Sequence, residues 1–85
     1  MFGVTIRAEP RGESAERLLE RFTQTIERRG LVRRGRTGPR WELVVSSEAG
    51  QMTELDRQAL VEWLDEQPAL HHVSVGALTD VQGAG

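Results

Sequence analysis

Apolar and polar residues alternate at the start of the chain, where Phe2, Val4, Ile6 and Ala8 are separated by Gly3, Thr5 and Arg7. A period of two belongs to a strand with one buried face, so residues 2–8 are expected to form a first strand. Pro10 and Gly12 break the alternation, and Ala15, Leu18, Leu19, Phe22 and Ile26 then recur at steps of three and four. That spacing gathers them on one stripe of a helix, with Ser14 as its N-cap and Gly30 as its stop in a left-handed conformation. Residues 31–36 and 40–47 flank Thr37, Gly38 and Pro39 and read as a hairpin, with Trp41, Leu43 and Val45 turned to one side.

Beyond Gly50, Thr53 and Asp56 have the spacing of an acidic capping box ahead of a second helix. Its apolar stripe is Leu55, Ala59, Leu60, Trp63 and Leu64, and Pro68 closes it by disfavouring helical geometry at Gln67. Residues 72–78 read as a last strand with Val73, Val75 and Ala77 inward. The resulting order, β-α-β-β-α-β, predicts an α+β fold: a ferredoxin-like sandwich with a four-stranded antiparallel sheet and both helices on one face. The other face is left open and presents Thr5, Arg7, Glu42, Val44, Ser46 and Ser74. Residues 1–81 are expected to form this one domain, and 82–85 a flexible tail too poor in apolar groups to be held.

Length and composition narrow the picture further. A chain of 85 residues holds one core of modest stability. Without cysteine it has neither disulfides nor thiolate metal chemistry, and it suits the reducing cytosol, so a cytoplasmic location is expected. Apolar runs of two or three residues, such as Ala59 to Val61, are far short of the roughly 20 needed to cross a bilayer. The first residues lack the basic-then-apolar layout of a secretory leader.

The formal net charge of −2 conceals a division. Residues 1–40 carry ten arginines and five glutamates, whereas residues 41–85 carry one arginine and eight acids. Within the basic half, Arg28, Arg29, Arg33, Arg34, Arg36 and Arg40 follow one another with no acid between them, and they are the candidate nucleic-acid-binding residues. As a patch they would contact phosphates without reading sequence. A purely structural account also exists: Arg28 and Arg29 would offset a helix C-terminal dipole, and the hairpin arginines would keep an edge strand soluble.

Catalytic sets are lacking by residue type and placement. The two histidines, His71 and His72, are adjacent, and on a regular strand they point to opposite faces. The carboxylate pairs Glu54/Asp56 and Asp65/Glu66 fit the polar surface and first turn of a helix. Acylphosphatase-like catalysis on this architecture needs an asparagine, and the sequence has none. Base stacking as in RNA recognition motifs needs aromatics on the open face, whereas Phe2, Phe22, Trp41 and Trp63 are all expected inward. No metal, no cofactor and no enzymatic activity are therefore expected.

Phe22 with Ile26-Glu27, Leu31, Gly35 and Trp41-Glu42, Thr53-Glu54 with Val61, Trp63 and Leu64, then Val73, Leu78 and Asp80, form an ordered set along nearly the whole chain. In order and spacing this set resembles the YggL family of 50S ribosome-binding proteins. The resemblance implies a bacterial, cytoplasmic, non-catalytic protein that associates with the large ribosomal subunit, through ribosomal RNA or a ribosomal protein, during subunit assembly. Two departures stand out. Family members often carry a Lys/Arg-rich extension ahead of the first strand, and they tend to end in an aromatic pair where Val81-Gln82-Gly83 stands here. The alternative expectation is a ferredoxin-like protein-interaction or small-ligand regulatory module acting as a homodimer or larger homo-oligomer.

Overall fold

The computed structural model describes residues 2–12, 15–48 and 50–80. Along the chain run β1 (Phe2–Pro10), α1 (Ala15–Glu27), β2 (Leu31–Arg36), β3 (Trp41–Ser47), α2 (Glu54–Asp65), β4 (Leu70–Val75) and β5 (Thr79–Asp80). The sheet order is β2-β3-β1-β4 with β5 also beside β1, and every pairing is antiparallel. This is the expected α+β, ferredoxin-like arrangement, with a fifth short strand added. No helix among the described residues is long and apolar enough to cross a membrane.

Alternation in β1 and β3 puts Val4, Ile6, Ala8, Trp41, Leu43 and Val45 on one sheet face, all of them buried. Against that face pack Leu18, Phe22 and Ile26 of α1 and Leu60 and Leu64 of α2. The Phe22 ring lies 5.9 Å from Trp41 and 5.4 Å from Trp63, tilted in both cases, which is the favoured approach of aromatic edges and faces. Met52, ahead of α2, is also buried.

Several expectations change, among them the inward placement of Phe2 and Ala77, both of which are exposed. Leu55 is 72% exposed and not part of the α2 stripe. Five residues before Leu60, it is turned about 140° away from that side chain at 100° per residue. The last strand starts earlier than expected, at Leu70, and breaks after Val75. At the break, the Gly76 N–H donates to the Thr5 carbonyl at 2.8 Å, while its own carbonyl accepts from Arg57 Nε of α2 at 2.9 Å. Finally, α1 ends at Glu27, so Arg28 and Arg29 occupy the turn after it, and Gly30 stops the chain at φ 73° as expected. Ser14 and residues 82–85 lie outside the described residues.

The capping box at α2 is formed as predicted. The Thr53 hydroxyl accepts from the Asp56 N–H, and the Asp56 carboxylate accepts from the Thr53 N–H at 3.0 Å. Partial burial alone would raise the Asp56 carboxyl. The hydrogen bonds from the Thr53 backbone and hydroxyl, together with the Arg29 guanidinium 3.0 Å away, outweigh that and hold it below its ordinary 3.8. A carboxyl lowered on folding adds stability that is complete above the unfolded value and is lost as pH falls through the folded one. Asp56→Asn is therefore expected to cost about 1 kcal/mol at neutral pH and to flatten the acid limb of stability below pH 3.8, measured by thermal melts across pH.

Candidate nucleic-acid interface

The strand register divides the arginines between the two sides of the sheet. Leu31, Arg33 and Gly35 of β2 stand opposite Ser47, Val45 and Leu43, the row that faces the helices. Val32, Arg34 and Arg36 stand opposite Ser46, Val44 and Glu42, the row that faces away. Arg33 accordingly reaches back to α1, where its Nε donates to Thr23 Oγ1 at 2.7 Å. Arg34 and Arg36 are exposed on the open face and have no carboxylate partner among the described residues.

Arg40 joins them from the hairpin, with Nη2 3.7 Å from Glu9 Oε1 on β1. Arg28 and Arg29 do not join them. They lie in the turn between α1 and β2, at the opposite end of β2 from the hairpin, and Arg29 is committed to Asp56. The six candidates thus occupy three places: Arg34, Arg36 and Arg40 on the open face, Arg33 against α1, and Arg28 and Arg29 beyond the helix end.

Arg7 belongs with the open-face group although the run of charges along the sequence omits it. It stands on β1 opposite Glu42 on one side and Ser74 on the other, so one row across the sheet reads Arg36, Glu42, Arg7, Ser74. Strand parity alone put Arg7 on this face; grouping by sequence proximity missed it. Four guanidiniums, from Arg7, Arg34, Arg36 and Arg40, share the face with two carboxylates, from Glu9 and Glu42. The helices carry the opposite balance: Glu16, Glu20, Glu27, Glu54, Asp56, Glu62 and Asp65 against Arg17, Arg21 and Arg57. Ser46, expected to be exposed, is buried, so the accessible part of the face is its hairpin half.

The histidines behave differently from the expectation for a regular strand. The β1–β4 register shifts between Arg7 and Glu9, giving β4 one extra residue, and His72 there has φ 53°. Such a bulge re-aims a side chain. His72, which alternation with Ser74 already puts on the open face, has its Nε2 3.5 Å from Glu9 Oε2, and the extra residue sets His71 opposite Glu9 in the register as well. Arg7, Ala8, Glu9, Arg40, His72 and Ser74 line a shallow hollow of about 300 Å³.

Among the described residues no hydrogen bond joins Ser74 to His72 in that hollow. Nor is any group of three or more His, Cys, Asp or Glu placed to hold a metal ion among those residues. What the face offers is a set of guanidinium donors, a chemistry matched to phosphate oxygens.

The model of the family described as YggL 50S ribosome-binding protein matches residues 2–82. Comparison with curated proteins and with solved structures finds no match in either.

Proposed function

We propose that this chain, which belongs to the YggL family of 50S ribosome-binding proteins, binds the large ribosomal subunit and does so through the hairpin half of its open sheet face. Arg34, Arg36 and Arg40, joined by Arg7, contact phosphates, and Arg33, Arg28 and Arg29 serve the fold and its edges. The observation that carries this reading is the charge asymmetry between the two sides: the sheet face holds twice as many cations as anions, and the helix layer the reverse. A polyanionic surface therefore accepts one side of the molecule and rejects the other. The protein acts by binding in the cytoplasm, with no chemical step of its own, and its contact serves assembly of the subunit.

The direct measurement is sedimentation of lysate through a density gradient at low salt. The protein is expected in the fractions of the large subunit and its precursors, and to leave them as salt is raised. Confinement to the top of the gradient at low salt would sink the reading. Self-association through the β2 edge is not favoured, because pairing two copies of that strand would crowd together the arginines Arg33, Arg34 and Arg36 of each.

A further inference from the structure

The hollow around Glu9 has features that a general phosphate-binding face does not require. His72 is the one non-glycine among the described residues with positive φ, and backbone held in that region costs energy and concentrates at ligand sites. His72 sits in the β4 bulge beside Glu9, which also faces Arg40. The polar groups gathered there are only loosely engaged with one another. Glu9 faces Arg40 at 3.7 Å and His72 at 3.5 Å, both longer than the roughly 2.7–2.9 Å of a charge-assisted hydrogen bond. Arg7 has no carboxylate partner and the Ser74 side chain no hydrogen bond among the described residues. The hollow thus offers guanidinium donors from Arg7 and Arg40 on either side of a carboxylate with accepting capacity to spare.

Resting on the reading that this face meets the ribosome, we infer that the hollow is a seat for one ribose-phosphate unit of RNA. Arg7 and Arg40 take the phosphate oxygens, and Glu9 accepts a hydrogen bond from the ribose 2′-hydroxyl. A carboxylate in the middle of a phosphate-binding surface works against any polyanion. It becomes favourable only where the ligand brings a donor to it, and the 2′-hydroxyl is the donor that an RNA backbone has and a DNA backbone lacks. Glu9 therefore discriminates by two routes: it accepts from RNA, and against DNA, which brings it no donor, its charge only repels.

The test is fluorescence anisotropy of the full chain with a labelled oligouridylate and with the oligodeoxyuridylate of equal length, at low salt. The native protein is expected to prefer the ribo form by about tenfold, the size of one hydrogen bond to a charged group. Glu9→Ala should bring the two affinities close to parity, mainly by tightening the deoxy complex. Arg7→Gln should weaken both by a similar factor and make each less sensitive to salt, as expected of a phosphate contact. Circular dichroism of both variants checks that the fold is kept. Equal affinities for the native protein, a preference that survives Glu9→Ala, or no binding of either oligonucleotide would each overturn the seat. Gradient sedimentation separates this from the broader reading, since co-migration with the large subunit alongside equal oligonucleotide affinities removes the seat and leaves ribosome association standing.

Discussion

Arg34→Glu combined with Arg36→Glu is expected to lower affinity for the large subunit about 100-fold at low salt and to reduce the salt dependence of binding by about two phosphate contacts. Both side chains are exposed on the open face and have no carboxylate partner among the described residues, so the native fold owes them little. The one structural cost is local. Arg36 stands directly opposite Glu42, and a glutamate there would put like charges in register, worth about 0.2–1 kcal/mol and at most about 5 °C in melting temperature. Arg28→Glu is the control for charge placement: it reverses one charge at the far end of β2, half the change made by the double variant, and should alter affinity by no more than about threefold. Co-sedimentation across a salt series measures all three proteins. If Arg28→Glu weakens binding about tenfold, half the double reversal's effect in free energy, net charge and not the sheet face governs the interaction.

The second large effect concerns the glycine between those two arginines. Gly35 has φ 126°, and an added Cβ would collide with the Glu42 carbonyl oxygen and sit 3.0 Å from Leu43 Cα, all of it backbone of the adjoining strand. Neither the conformation nor the space admits a side chain, and a strand backbone locked into a ladder cannot move aside cheaply. Gly35→Ala is expected to cost about 3 kcal/mol or more, against about 1–2 kcal/mol for Gly38→Ala in the hairpin turn. Gly38 has a similar φ of 119° but open space around it, so the difference between the two variants isolates the steric part. Urea titration of both gives the numbers, and similar midpoints would show that β2 and β3 separate readily at this place. In that case Arg34 and Arg36 would not be held as a rigid pair.

Period and capping in the sequence carried most of this architecture because each signal was local. Alternation over Val4 to Ala8 and Trp41 to Val45 named the inward residues of both central strands, though it also named Phe2, which is exposed, and the Thr53–Asp56 spacing located the start of α2. Leu55 misled because an apolar residue in a first turn matches the stripe in spacing while lying off it in angle. The break at Gly76 depends on Arg57, nineteen positions away and on another element, so no pattern within the strand announces it.

The candidate site was less legible for the same reason. A run of arginines is a property of one stretch of chain, whereas a face is assembled from β1, β2, β3 and β4 together. Arg7 entered only when the register put it in the row of Arg36 and Glu42, and Arg33 left only when parity turned it toward Thr23. The register that sets His71 opposite Glu9 rests on one extra residue in β4, which alternation cannot show because a bulge is what interrupts alternation.

The separation of acids on the helices from arginines on the sheet has a consequence for how the protein arrives. Its formal charge of −2 gives a weak repulsion from a polyanionic particle at long range, where only the monopole is felt. Within about 8 Å, the screening length of physiological salt, the dipole takes over and turns the molecule before contact. Arrival is then governed by rotation close to the surface and not by attraction from afar, so productive collisions are those in which the sheet has already swung to face the particle.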